Sequence, residues 1–167
     1  MSETTEAELD AVVHGAMAPG FLGLLLARIV DRLVEGGTEP AAAFGIRAPV
    51  RAFSLIMLLA HAHQSVTELA ARLGVTHAAV IKTAKLLEDM DLLGRGEDPA
   101  DARRKPLRLT VAGRAEAERV ARYMQRTNQV YASIFAEIGV DLFAAAQAFD
   151  AALVREGFAA RFDRAEP

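Results

Sequence analysis

The sequence predicts a mainly α fold in which short helices carry one small β-hairpin and longer apolar helices flank them. Three observations predict it. Apolar residues recur at helical spacing through most of the 167-residue chain. Residues 65–95 read as two short helices joined by a tight, glycine-containing turn. Residues 98–114, DPADARRKPLRLTVAGR, read as a turn, then a strand, then the start of another helix.

Composition sets the outer limits. A hydrophobic share of 52% suits a globular chain with a real core, and 167 residues suit one domain, or one domain with extra dimerising helices. The absence of cysteine excludes a disulfide framework, a thiolate metal site and a cysteine redox switch. No apolar run approaches the roughly 18 residues of a membrane span. The run FLGLLL at 21–26 is too short, and acidic residues precede it where a signal peptide would be basic. The default expectation is therefore a cytoplasmic protein. A net charge of −3 argues weakly against a nucleic-acid partner. Its distribution argues the other way. Residues 65–114 carry nine Lys/Arg against seven Asp/Glu, while the rest carries ten against fifteen. Salt screens distant charges, so the local balance counts for more than the total.

The elements follow in order. Residues 1–19 form a flexible N-terminal segment that opens with the polar, acidic MSETTEAE. A helix is expected over 20–35, with Leu22, Leu25, Leu26, Ile29, Val30, Leu33 and Val34 on one broad apolar face. Gly36-Gly37 is expected to end it, and residues 36–48, with Pro40, form a linker. Pro49 suits the first turn of a second helix that runs to about His61 and is apolar nearly all round. Ser65 and Glu68 have the spacing of a capping box, and Gly74 ends that short helix. Thr76 caps the next, whose inward stripe is Val80, Ala84 and Leu87. Leu92-Leu93 start a strand, Asp98-Pro99 turn the chain, and 106–109 return as its partner. A long helix from Thr110 to about Ile138 repeats apolar residues from Val120 to Phe135, more than so small a lobe buries by itself. A last helix is expected over about 140–160.

In this order the elements resemble the MarR (multiple antibiotic resistance regulator) family of winged helix-turn-helix transcriptional regulators. The resemblance rests on VTELAARLGVTHAAVIKTAKLLEDMDLLGR and DPADARRKPLRLTVAGR. It places Leu87-Glu88, Arg95, Asp98-Pro99, Asp101, Arg103, Leu109-Thr110 and Gly113-Arg114 at the family's motif positions. It implies a mainly α, winged helix-turn-helix fold with a two-stranded β-wing and long N- and C-terminal dimerisation helices. The implied organisation is an N-terminal dimerisation helix and linker over 20–48, a DNA-binding region over 49–114 and C-terminal dimerisation helices over 115–167. Arg103 becomes the wing residue that reaches the minor groove, with Asp101 orienting it. Arg104 and Lys105 then face phosphates. Ala102 departs from the charged residue that relatives often carry there.

Residue chemistry supports part of this and leaves part open. A basic cluster such as Arg103, Arg104, Lys105 and Arg108 is by itself more often a solvated turn; after a helix-turn-helix it reads as a DNA-facing wing. With Val80, Ala84 and Leu87 inward, the DNA-facing set is Thr76, His77, Ala78, Ile81, Lys82 and Lys85, with Arg95 beyond. Ile81 has two readings of equal weight: rotation into the core, or exposure and contact with a thymine methyl. Lys82 and Lys85 are either ordinary surface lysines or phosphate contacts. His61 and His63 lie two apart, on different helix faces, so no metal and no cofactor is expected. Tyr123, Met124, Tyr131 and Phe135 either line a small-molecule effector pocket, as in relatives, or belong to the core and dimer interface, the commoner fate of such a stripe. No nucleophile elbow, phosphate loop or carboxylate pair suggests an enzyme. The resulting expectation is a homodimeric, sequence-specific DNA-binding regulator, a repressor of pseudo-palindromic operators that a small molecule releases. The alternative is a winged-helix module that binds a protein and no DNA.

Overall fold

The computed structural model describes Gly15, residues 18–96 and residues 106–165. A 3-10 turn, Ala18–Phe21, leads into α1, Leu22–Ala43. A second 3-10 turn, Val50–Ala52, runs directly into α2, Phe53–His61. Then come α3, Val66–Leu73, and α4, His77–Asp89. Strands β1, Leu93–Arg95, and β2, Leu107–Leu109, pair antiparallel with Leu93 opposite Leu109 and Arg95 opposite Leu107. The long α5, Val111–Ile138, is followed by α6, Leu142–Arg155, and α7, Phe158–Phe162. The described residues divide after Ala121 into two compact units, and α5 contributes to each.

The first unit has its core between α2, the α3–α4 pair and the hairpin. Leu55, Ile56 and Leu59 of α2, Leu69 of α3, Val80 and Leu87 of α4, and Leu92 and Leu107 of the hairpin are all buried. Helix α2 is short and apolar on several sides, and the structure places it inside as its pattern requires. The hairpin gains a rung that the sequence did not suggest. Gln64, between α2 and α3, exchanges backbone hydrogen bonds with Leu107, donating at 3.3 Å and accepting at 2.9 Å. This ties the wing's return strand to the start of the helix-turn-helix.

Two expected boundaries move. Helix α1 does not stop at Gly36-Gly37 but continues through both, and through Pro40, to Ala43. Glycine permits a left-handed turn without requiring one, and neither Gly36 nor Gly37 has a positive φ. The stop is Gly45, at φ +72°. Its N–H donates to the Ala42 carbonyl at 2.9 Å, and the Ile46 N–H donates to Ala41 at 3.1 Å, the paired bonds of a Schellman ending. The expected last helix is likewise two helices, broken at Glu156-Gly157. Arg161 bridges the break, donating to the carbonyls of Ala152 and Glu156, each at 3.0 Å.

In the second unit, Gly139 at φ +69° closes α5, and the Asp141 carboxylate caps α6 by accepting from the Ala144 N–H at 2.9 Å. Neither α6 nor α7 has a buried residue, and Phe143, Val154, Phe158 and Phe162 are each about two-thirds exposed or more. Helix α1 is similar: Leu22, Leu24, Leu25, Leu26, Val30 and Leu33 are exposed, and only Ala41 is buried. Among the described residues, no single helix is long and apolar enough to cross a membrane.

Candidate nucleic-acid interface

The recognition helix is held from both ends and from below. Upstream, Ser65 and Glu68 form the expected capping box: the Ser65 N–H donates to the Glu68 carboxylate at 2.7 Å, and the Glu68 N–H donates to Ser65 Oγ at 3.2 Å. Gly74, at φ +65°, makes the turn. Thr76 then caps α4, its hydroxyl accepting from the Ala79 N–H at 3.2 Å. The first turn of any helix leaves backbone N–H groups without intrahelical acceptors and so favours an anion. Val80, Ala84 and Leu87 are all but fully buried, as the stripe predicts, and they fix the rotation of the helix.

That rotation presents the outward set. Thr76, His77, Ala78, Ile81, Lys82 and Lys85 are all exposed. Ile81, at 54% exposure, is not a core residue. Lys82 projects from the face opposite the buried stripe. Lys85 has an intrachain partner, Asp89, at 3.1 Å, one helical turn on. Arg95 on β1 is paired with Glu88 of α4 at 3.0 Å. Each of these two candidate phosphate contacts therefore already has a carboxylate partner within the chain. Solvent-exposed pairs of this kind are worth about 0–1 kcal/mol, so a phosphate can displace the carboxylate. The Glu88–Arg95 pair also fixes β1 relative to the end of the recognition helix. Arg108, on β2, is exposed. Asp101, Arg103, Arg104 and Lys105 lie outside the described residues.

The strand-to-helix junction explains the Leu-Thr-x-x-Gly-Arg segment. The Thr110 hydroxyl donates to the Asp91 carbonyl at 2.7 Å and accepts from the Gly113 N–H at 3.0 Å. The Thr110 N–H donates to the Leu92 carbonyl at 3.1 Å. Gly113 lies against the same carbonyl so closely that a Cβ would sit 1.9 Å from the Leu92 oxygen. A side chain there would push α5 off the base of the wing.

One buried ionised group escaped the sequence reading. Glu116 on α5 has no exposed surface. Its Oε1 accepts from the backbone N–H of Arg47 at 2.6 Å and of Ala48 at 2.8 Å, and its Oε2 accepts from Arg119 Nε at 3.0 Å. Burial opposes the charge, but the Ala48 N–H, the Arg119 guanidinium and the Arg47 N–H together hold the carboxyl below its ordinary value of 4.5. The strap they anchor also carries the Arg47 side chain, which donates to the Met90 carbonyl, just after the recognition helix, at 3.4 Å. A signal was present: Glu116 lies four residues before Val120 and seven before Tyr123, both buried on the same stripe.

The comparisons with known proteins agree with this geometry. Residues 48–104 match the MarR family, and over those residues the chain is similar to it. That match spans α2, the helix-turn-helix and β1. Among curated proteins no significant match exists. Solved structures extend the likeness beyond the segment. The transcriptional repressor CouR bound to a 23-mer DNA duplex is similar at 23% identity and a TM-score of 0.64, over 92% of this chain and 99% of that one. CouR from Rhodococcus jostii RHA1 bound to p-coumaroyl-CoA is similar at 22% identity and a TM-score of 0.58, over 79% of this chain and 89% of that one. The adhesin competence repressor AdcR from Streptococcus pyogenes is similar at 23% identity and a TM-score of 0.57, over 81% and 96%. At these identities the MarR-type winged-helix fold is what the chain shares with them.

Among the described residues no group of three His, Cys, Asp or Glu is placed to hold a metal ion. The aromatic stripe of α5 divides by burial. Tyr123 is buried, Met124 is exposed, and the partly buried Tyr131 and Phe135 stack one turn apart with ring centroids 6.2 Å apart.

Proposed function

We propose that this protein is a sequence-specific DNA-binding transcriptional regulator, a cytoplasmic homodimer that represses from pseudo-palindromic operators and is released by a small-molecule effector. The observation that carries the reading is the recognition helix: α4 is capped, buried on one stripe and presents Ala78, Ile81, Lys82 and Lys85 from a segment similar to the MarR family. That surface has the chemistry of a major-groove reader, with cations for phosphates and small or apolar groups for base edges. Thr76 and His77 stand at the helix N-terminus, where phosphate or base edges are within the reach of their side chains. Arg95 adds a phosphate contact at the foot of the wing. Arg103, oriented by Asp101, reads the minor groove, with Arg104 and Lys105 on the backbone. The MarR family is one of DNA-binding regulators.

The dimer is supported by unpartnered apolar surface. The exposed leucines of α1 and the exposed Phe143, Phe149, Phe158 and Phe162 exceed what a soluble monomer ordinarily leaves in water. Dimerisation through residues 20–48 and 115–167 covers them and sets two recognition helices for successive major grooves, about 34 Å apart. An effector that changes this spacing releases DNA without touching a DNA contact. CouR, with structures bound to DNA and to p-coumaroyl-CoA, supplies a precedent for a regulator with both kinds of ligand.

Selection of bound duplexes from a random pool tests the proposal. It should return a two-fold-symmetric site with half-sites about one helical turn apart, bound in a salt-dependent way. Recovery of no enriched duplex would instead favour the protein-interaction module.

A further inference from the structure

Folding accounts for three apolar side chains of the recognition helix and leaves two large ones exposed, Ile81 and Leu86, of which only Ile81 lies within the outward set of His77, Ala78, Lys82 and Lys85. Val80, Ala84 and Leu87 fill the core at 1% exposure or less, while Ile81 stands 54% exposed. A β-branched residue is a poor choice for a solvated helix position, where Ala, Lys or Glu gives a more stable helix. Around Ile81 the helix surface is polar or small. His77 lies one turn before it, Lys85 one turn after, with Ala78 and Lys82 beside it, and all four are exposed. Such a setting disfavours a protein partner seated on Ile81, because two lysines would have to be desolvated with it. It suits a polyanion with one apolar feature at the depth of the helix. On the base edges of the major groove that feature is the 5-methyl group of thymine.

We infer that Ile81 is a specificity-determining residue that packs on the methyl group of one thymine in each operator half-site, while Lys82 and Lys85 hold flanking phosphates. The inference rests on the DNA-binding reading and names what that surface reads. Ala78, one turn earlier, is small enough to let the helix approach the base edges at that depth.

The test uses the full-length protein and a duplex it recovers from a random pool. Each thymine is replaced in turn by deoxyuridine, symmetrically in both half-sites. The change removes the methyl and keeps every hydrogen-bonding group. Anisotropy titrations at one fixed salt concentration then compare the wild type with Ile81→Ala and Ile81→Val. One thymine position should stand out. Loss of its methyl should weaken the wild type about fourfold per half-site, the worth of one buried methyl, and ~15-fold over both. Ile81→Ala should bind the thymine duplex more weakly by a similar factor and be indifferent to deoxyuridine, with Ile81→Val between them. Because Ile81 is exposed and Ala is the better helix former, the thermal midpoint of Ile81→Ala should match or slightly exceed that of the wild type. Equal wild-type binding to every deoxyuridine duplex would overturn the inference and leave DNA binding standing. Undiminished sensitivity in Ile81→Ala would also overturn it, since another residue would then read the methyl. Recovery of no duplex would overturn the DNA-binding reading and this inference with it.

Discussion

Replacing Glu116 tests whether the winged lobe is braced by one buried carboxylate. In Glu116→Ala, the N–H groups of Arg47 and Ala48 lose acceptors at 2.6 and 2.8 Å, and Arg119 loses its partner. Orphaning a buried donor costs about 1–3 kcal/mol, which applies in full to the buried Ala48 N–H and in part to the half-buried Arg47 N–H. The Arg119 side chain is 29% exposed and can turn toward water, which recovers part of the loss. The net cost should be about 4 kcal/mol, a large share of a typical domain's 5–15. Glu116→Gln keeps the volume and one acceptor oxygen but turns an NH2 toward a donor, so about half that cost is expected. The pH dependence has a definite sign. The folded carboxyl lies below its ordinary 4.5, so its contribution is complete above pH 4.5 and is lost as pH falls through the folded value. Urea denaturation followed by circular dichroism, at constant protomer concentration, gives the comparison. The gap between wild type and Glu116→Gln should be constant from about pH 8 to 5 and narrow below about 4.5. A loss under about 1 kcal/mol in Glu116→Ala, or a gap that does not change down to pH 3, would refute the reasoning.

Four further outcomes are expected. Gly113→Ala should destabilise by about 3 kcal/mol in the same assay, because its Cβ meets backbone rather than a side chain that can move. Lys82→Ala and Lys85→Ala should each weaken all duplexes alike and reduce the slope of log affinity against log salt by roughly one; an untouched slope would remove both from the phosphates. Arg103→Ala should lose affinity selectively for operators with A·T-rich flanks, Arg103→Lys should recover only part of it, and Asp101→Ala should weaken binding although it removes an anion near DNA. Tighter binding by Asp101→Ala would leave it a solvated turn residue. Analytical ultracentrifugation at micromolar concentration should give a mass near twice 17.9 kDa, and a clean monomer would end the dimeric mechanism.

The local grammar of the winged lobe was legible in the chain. The Ser65–Glu68 box, Gly74, the Thr76 cap and the Val80-Ala84-Leu87 stripe all appear where their spacing put them, because each is decided by backbone hydrogen bonds and periodicity within a turn or two. Features that depend on residues distant in sequence were settled only by the tertiary structure. Helix geometry alone fits Ile81 to core or surface equally, and in the structure it lies at the surface, 54% exposed. Gly36-Gly37 and Gly45 both offer a helix stop, and the Schellman bonds formed at Gly45, beside the buried Ala41 and Ile46. Glu116 looked like one more charge on a long helix. It is buried because Arg47 and Ala48, 69 and 68 residues away, turn their N–H groups toward it. Lys85 and Arg95 were legible as cations, but the carboxylate that holds Arg95 is Glu88, brought to it by the turn between α4 and β1. Spacing along one element can be read from the chain. A partner supplied by another element depends on packing, which is decided by the whole core at once.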